Sequence, residues 1–353
     1  MTEIQKQRFG VLTKKGQIEV HERPLPKLGD YDILIKHEAC NICTTDYTQY
    51  LGLREHQGYP MAGGHEDSGF IVEVGEKVNG FSVGDHVALG CPSCGYCDEC
   101  KKGREGFCKY NDMTVHTTED GYHGTFGFSD YVVMPARRVV KISKHLPAGE
   151  GGFLEPLATV SKGIKIMDTK PGDTVVVIGA GTMGMLNALA LRAKAIRVII
   201  TEFMPNKIEN ARKEGLEVID CNVSDPVEEV KKLTDGEGAD AVYVCVGNTV
   251  ANNQAVEMLK KYYGKILLFA ASYPEPKFEI SSNVIHYRHI QIFGTTGADL
   301  VDFIDSAKLL NSGQVKVTSL LEKKYFDLDH IKDAFEEATV PGNYRVTVRM
   351  NDL

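Results

Sequence analysis

Five cysteines fall within eighteen positions of this sequence, CPSCGYCDECKKGREGFC at 91–108. Cys94, Cys97, Cys100 and Cys108 are separated by two, two and seven residues. Four thiolates so placed suit a tetrahedral Zn²⁺, and four protein ligands leave no open position, which is the pattern of a structural rather than a catalytic site. Cys91 leaves an alternative open, because Cys91, Cys94, Cys97 and Cys100 also form an evenly spaced quartet. Thiols crowded this closely would oxidise without a metal. The N-terminus, MTEIQKQRFG, carries no hydrophobic run of the kind a secretory signal needs, so a cytoplasmic location is expected. In that setting the nine cysteines read as free thiols or metal ligands, not as a disulfide framework.

A second group of ligand types is scattered. ACNICTTDYTQY supplies Cys43, AGGHEDSGF supplies His65 and Glu66, and GGFLEPLATV supplies Glu155. One thiolate, one imidazole and one or two carboxylates would hold Zn²⁺ with a position left for water or a substrate oxygen. Spacing does not select this set, since Cys40 and several other histidines are equally available. Each member alone also fits an ordinary structural place: a buried cysteine, a core histidine, a solvated glutamate.

VVVIGAGTMGMLNALAL, residues 175–191, sets Gly179, Gly181 and Gly184 in GxGxxG order directly after an apolar strand and at the start of a helical pattern. The first glycine permits a tight turn, the second lets the backbone approach a pyrophosphate, and the third allows close helix–strand packing. The helix N-terminus then offers free N–H groups to the phosphates. The next strand ends at Glu202, near the spacing of about 20 residues expected for the acid that holds the adenosine ribose. A carboxylate there repels a 2′-phosphate and favours NAD over NADP. Lys207, five residues on, could serve either the adenine edge or a phosphate.

Two kinds of element must position these groups. Residues 8–90 read as short strands with turn signals (RFGVLT, QIEVHER, YDILIKHEA, GFIVEVG, DHVALG), an antiparallel barrel-like or sandwich-like domain. From about residue 158 the pattern changes to apolar runs alternating with helices: DTVVVIG, RVIIT, LEVID, ADAVYVCVG, GKILLFA and IQIFG. Six such runs describe a doubly wound parallel sheet, so the fold class is α/β. The C-terminal part adds two helices, LVDFIDSAKLLNSG and LDHIKDAFEEAT, and a last strand, YRVTVRM.

These motifs together resemble the zinc-containing medium-chain dehydrogenases/reductases, the alcohol dehydrogenase superfamily, in its sorbitol/polyol and threonine dehydrogenase-like branch. GHEDSGFIVEVG is similar to that family's GHExxGxVxxVG, NICTTD to its GICGTD, CGYCDECKKGREGFC to its structural-zinc lobe, and EPLA at 155–158 to its EPLA segment. The resemblance covers essentially the whole chain. It implies a GroES-like β-rich catalytic domain over 1–157 and 295–353, with a structural-zinc lobe at about 91–110, and a Rossmann NAD-binding domain over 158–294. It implies two Zn²⁺ per chain: a catalytic one on Cys43, His65, Glu66 and Glu155, with Glu66 or Glu155 bound directly or through water, and a structural one on Cys94, Cys97, Cys100 and Cys108, which leaves Cys91 outside. Thr45 matches the hydroxyl that hydrogen-bonds the substrate alcohol and passes on its proton, with Glu66 beside it in the catalytic set. Met183, Lys207, Phe269, Ala270, Thr295 and Thr296 match positions that line the NAD site.

The departures carry information. Thr48 stands where relatives have a proton-relaying histidine, so the proton's exit is expected through Thr48, Tyr47, Tyr50 or water. Thr44 replaces a glycine. Gly297 stands where sorbitol dehydrogenases have an arginine, which speaks against sorbitol itself, and NVIHYRHIQIFGTTG resembles branches acting on sugar phosphates and cyclitols. The expected activity is NAD-linked, zinc-assisted oxidation of a secondary alcohol of a polyol, sugar alcohol or cyclitol, phosphorylated or not. An amino-alcohol substrate, as in threonine dehydrogenases, is the nearest alternative, and both zinc motifs argue against the zinc-free quinone reductase type. A zinc ribbon binding nucleic acid or protein is the alternative from another class. The net charge of -8 argues against it, as it argues against membrane surfaces, and no apolar run approaches the roughly 20 residues that cross a bilayer. The expected partners are a small-molecule alcohol or ketone and further copies of the chain, as a homodimer or homotetramer.

Overall fold

The computed structural model describes residues 6–54, 58–110, 118–272 and 274–351. The chain divides into two compact units, one of Met1–Ala158, Ala298–Ser312 and Val317–Leu353, the other of Thr159–Gly297 and Gly313–Lys316.

In the first unit the five strands expected before residue 90 form at Lys6–Lys14, Gln17–Pro24, Asp32–Asn41, Glu66–Val74 and His86–Leu89. The first two pair with each other as an antiparallel hairpin. The rest join a seven-stranded sheet ordered Leu321–Asp327, Arg345–Arg349, Asp32–Asn41, Glu66–Val74, His86–Leu89, Val139–Lys141, with Tyr131–Pro135 pairing to Asp32–Asn41 as well. Alternation drives the strands' apolar positions into two cores. One, around Phe9, Ile33, Ile35 and Ile71, lies between the hairpin and the sheet. The other, around Ile42, Tyr50, Phe128 and Phe335, takes in the helix Ile331–Ala338. The strand Leu321–Asp327 is an addition to the sequence reading: LEKKYFD is an edge strand with one buried residue, Phe326, and shows no clean alternation. It runs parallel to Arg345–Arg349, because the chain returns through the helix between them.

In the second unit all six expected apolar runs are strands: Thr174–Ile178, Arg197–Glu202, Glu217–Asp220, Ala241–Val244, Lys265–Leu268 and Gln291–Gly294. Numbered along the chain, they lie side by side in the order 3-2-1-4-5-6, every pair parallel. That is the doubly wound dinucleotide arrangement, whose ligands sit at the carboxyl ends of the strands where the order reverses. Central strands buried on both faces read as continuous apolar runs, and Val175, Val176 and Val177 are fully buried.

Candidate active site

Cys43 is the N-cap of the short helix Thr44–Tyr50, and its own N–H donates to Asp46 Oδ2 at 2.9 Å. That bond fixes where the thiol stands. His65 immediately precedes the strand Glu66–Val74, which pairs with Asp32–Asn41 so that Asn41 faces Glu66. The two strand ends thereby bring the residues of both motifs together: the ligand atoms of Cys43, His65 and Glu66 all lie within 4.8 Å of one another. Asp46 is buried, and its Oδ1 is 3.7 Å from His65 Nδ1. It is a buried carboxylate beside the imidazole, as second partners of ligating histidines often are.

Glu66 is fully buried and its charge is met by Arg345, itself 4% exposed. Arg345 Nε donates to Glu66 Oε2 at 2.8 Å and Nη2 to Oε1 at 2.7 Å, a two-pronged pair, and Nη2 also reaches Cys43 Sγ at 3.6 Å. Glu155, near the start of the helix Leu154–Met167, is outside the close trio but within its field. Burial pushes its carboxyl up to about 7, opposed by His65 and reinforced by Glu66. For His65, burial alone would lower the pKa, but the negative charges of Asp46, Cys43 and Glu155 outweigh it and hold it well above its ordinary value. The field that favours a proton on this imidazole equally favours a cation, and the donor set of one thiolate, one imidazole and two carboxylates fits Zn²⁺.

Thr45, half-buried, follows the thiol by two positions, and its Oγ1 accepts from Arg54 Nη1 at 3.4 Å. Thr48 turns its hydroxyl back onto its own helix, to Thr44 O at 2.7 Å and Thr45 O at 3.1 Å. Tyr50 is packed into the core against Phe335, ring centroids 5.5 Å apart, whereas Tyr47 is half-buried.

In the cysteine loop the structure gathers Cys94, Cys97, Cys100 and Cys108. Sulfur separations are 3.8 Å for Cys94–Cys100, 3.5 Å for Cys97–Cys100 and 4.0 Å for Cys97–Cys108. A Zn–S length of about 2.3 Å requires tetrahedron edges of about 3.8 Å, so the quartet fits the ion. Backbone N–H groups of Cys100 and Lys109 pull the Cys97 thiol down to about 6. Cys91 turns away, its Sγ 3.5 Å from Ala298 O, and burial pushes it up to about 12.

In the second unit two of the loop's three glycines are fixed by what surrounds them. Gly179 has φ +95, and a Cβ there would stand 2.4 Å from Val246 Cγ1. Gly181 is the N-cap of the helix Thr182–Ala193, and a Cβ there would meet only Lys207 Nζ, at 3.8 Å. At Gly184 a Cβ would lie 1.8 Å from Gly179 O. Glu202, buried at the end of its strand, accepts from the N–H groups of Ala180 (2.8 Å), Phe203 (2.8 Å) and Met204 (2.9 Å). It therefore ties the glycine loop to the neighbouring strand. Met183 lies in the first turn of that helix, half-buried. Phe269 and Ala270 follow the fifth strand, their N–H groups on Val244 O, and Thr295 and Thr296 follow the sixth. Thr295 Oγ1 is buried with no hydrogen-bond partner among the described residues, and Thr296 O accepts from Lys162 Nζ at 3.4 Å. An open glycine cradle, a lysine over it and an orphaned hydroxyl at the strand ends fit a dinucleotide.

Sequence reasoning passed over three residues. Asp46 lies inside the quoted NICTTD, but nothing in its type distinguishes a ligand-orienting acid from a helix-capping one. Arg345 and Arg54 have no local signal at all, since their partners are 279 and nine positions away.

Comparison with known proteins agrees with this frame. Residues 29–144 match the alcohol dehydrogenase GroES-like domain, and residues 179–312 match the zinc-binding dehydrogenase domain. A sorbitol dehydrogenase from Halalkalibacterium halodurans is 32% identical over 325 residues, spanning 88% of this chain and 89% of that one. An L-threonine 3-dehydrogenase from Pyrococcus horikoshii is 31% identical over 332 residues, spanning 92% and 93%. Among solved structures, a zinc-binding dehydrogenase homologue from Sinorhizobium meliloti, bound to NADP, superposes with a TM-score of 0.87 at 26% identity, covering 98% of this chain and 99% of that one. The chain belongs to the zinc-dependent alcohol dehydrogenases of the medium-chain dehydrogenase/reductase superfamily. It is an oxidoreductase with a GroES-like domain and a Rossmann-like parallel-sheet domain.

Proposed function

We propose that the protein is an NAD-linked zinc dehydrogenase that reversibly oxidises a secondary alcohol of a polyol, sugar alcohol or cyclitol, free or phosphorylated, to the ketone. The observation that carries this reading is the convergence of Cys43, His65 and Glu66 within 4.8 Å, two positions from a half-buried threonine hydroxyl. Zinc held there by Cys43, His65 and a carboxylate of Glu66 or Glu155 supplies Lewis acidity toward the substrate hydroxyl, and NAD supplies the hydride acceptor. Thr45 Oγ1 hydrogen-bonds that hydroxyl and takes its proton. Asp46 holds both Cys43 and His65 in place, and Arg345 sets the orientation of Glu66. Thr48 spends its donor on helix carbonyls, so the proton leaves Thr45 through Tyr47 or water.

Cys94, Cys97, Cys100 and Cys108 hold the second zinc as a closed structural site. The coenzyme lies along Gly179, Gly181, Met183 and Gly184, with Glu202 and Lys207 at the adenosine ribose and Phe269, Ala270, Thr295 and Thr296 toward the nicotinamide. The fixed negative charge of Glu202 favours NAD over NADP. Residues 1–157 and 295–353 serve as the catalytic domain and 158–294 as the coenzyme domain. The strand Gln291–Gly294 is a sheet edge, which supports assembly into a homodimer or homotetramer. Among the described residues no helix is long and apolar enough to cross a membrane.

A second reading is an amino-alcohol substrate, favoured by the threonine dehydrogenase relatives. Gly297 bears on sorbitol: it has φ +58, a conformation in which the arginine of sorbitol dehydrogenases would be strained. The test is NADH formation across polyols, sugar phosphates, cyclitols and threonine, before and after complete zinc removal. Turnover on none of them, or turnover that survives loss of zinc, would refute the reading.

A further inference from the structure

Arg54 stands beside the hydroxyl assigned to the substrate, and the chain is bent to put it there. The helix Thr44–Tyr50 is followed by Leu51 and then by Gly52 with φ +69. Gly52 N–H donates to Gln49 O and Leu53 N–H to Thr48 O, both at 2.9 Å. This pair of bonds reverses a chain at a helix end and needs a left-handed residue. The positive φ is what favours glycine here; a Cβ would also lie 2.5 Å from Lys15 Cδ, a contact that the flexible lysine can relieve. The reversal carries Arg54 back along the helix, where its Nη1 donates to Thr45 Oγ1 at 3.4 Å.

A substrate hydroxyl bonded to Thr45 Oγ1 lies about 2.7 Å from it. The guanidinium is therefore within roughly 6 Å of the reacting oxygen, the sum of that distance and 3.4 Å. Groups carried on the next one or two carbons of the substrate fall inside that radius. A guanidinium is charged at every working pH, and its planar fork matches carboxylate and phosphate oxygens two at a time.

We propose that Arg54 is a specificity-determining residue that binds an oxyanion, phosphate or carboxylate, borne one or two carbons from the hydroxyl that Thr45 handles. The substrate is then an anionic secondary alcohol. This rests on the dehydrogenase reading above and narrows its substrate class.

The test uses the zinc-loaded full-length enzyme with matched pairs that differ in the anion: erythritol and erythritol 4-phosphate, glucitol and glucitol 6-phosphate, L-threonine and L-threonine amide. A charge-assisted pair at this position predicts a kcat/KM roughly 10- to 100-fold higher on the anionic member, expressed mainly in KM. Arg54→Gln collapses that ratio toward one, Arg54→Lys keeps part of it, and Gly52→Ala lowers it by displacing an intact arginine. Preference in the phosphate pairs or in the threonine pair tells which oxyanion is the native one. Calorimetric titration of each pair into wild-type and Arg54→Gln enzyme reads the same discrimination without turnover, and melting curves confirm that the variants are folded. Equal binding of both members by the wild type, or a ratio unchanged in Arg54→Gln, overturns the inference. Discrimination in binding with no NADH formed on any member would instead leave Arg54 assigned and sink the dehydrogenase reading.

Discussion

The ion pair between Glu66 and Arg345 makes a quantitative prediction. Glu66 is 0% and Arg345 4% exposed, and the two share hydrogen bonds of 2.8 and 2.7 Å. Arg345→Met keeps much of the side-chain volume but leaves a carboxylate in the interior without its counter-charge. Removing one partner of such a pair costs about 3–5 kcal/mol, because the stranded charge keeps its desolvation penalty. Replacing both is far milder, so Glu66→Gln combined with Arg345→Met should recover most of the loss. At a urea slope of about 3 kcal/mol/M the single substitution moves the unfolding midpoint down by somewhat over 1 M. The assay is urea unfolding of wild type, both single variants and the double variant in chelator-containing buffer, so that no metal compensates Glu66, followed by circular dichroism. A midpoint shift in Arg345→Met below about 0.3 M, equivalent to a surface ion pair, would refute the reasoning. So would a double variant no more stable than the Arg345→Met single.

Three further outcomes are expected. Gly184→Ala places a Cβ 1.8 Å from the backbone oxygen of Gly179, which has no room to yield, so the loop must shift; NADH affinity by fluorescence titration should fall about tenfold or more, and an unchanged affinity would remove the loop from the coenzyme site. Cys97→Ser should release about one zinc per chain and lower the melting temperature before it lowers turnover, whereas a folded, fully assembled variant that is inactive would place the loop in the chemistry. His37 is fully buried, its Nδ1 2.9 Å from Ser129 O and its Nε2 3.5 Å from Asp67 Oδ1; burial alone would lower its pKa, but Asp67, helped by Asp130, raises it above 6.5. Its contribution to stability is therefore whole below about pH 6.5 and lost as the pH rises through the folded value, and Asp67→Asn should flatten that limb of the stability curve; an identical limb in the variant would show that the pair does not set it.

How far the molecule is legible from its sequence follows from how local each feature is. The six strands of the second unit are buried on both faces and read as apolar runs. The glycine loop is legible because the constraints at Gly179 and Gly184 act within a few residues or on the adjacent strand. The cysteine quartet is legible because a single loop holds all four sulfurs. The edge strand Leu321–Asp327 is not legible, because one buried residue in seven gives no period. Cys43 and His65 could not be joined by spacing. They meet because the strands that precede Cys43 and follow His65 pair antiparallel, a fact of register that no short window contains.

The two candidate metal centres differ in what supports them, and that difference carries a consequence. In the cysteine loop the groups supporting the sulfurs are neighbours in sequence: Cys97 N–H and Tyr96 N–H lie on Cys94 Sγ at 3.3 and 3.4 Å, and Cys94 N–H lies on Cys108 Sγ at 3.3 Å. In the Cys43 centre the charge of Glu66 is balanced by Arg345, on a strand that reaches the sheet only after the C-terminal segment has docked. A buried carboxylate is tolerated only when paired, so Glu66 is not settled until that strand is in place. The four sulfurs of the cysteine loop are supported by groups near them in sequence, while the Cys43 centre is complete only when residues near both ends of its unit have come together.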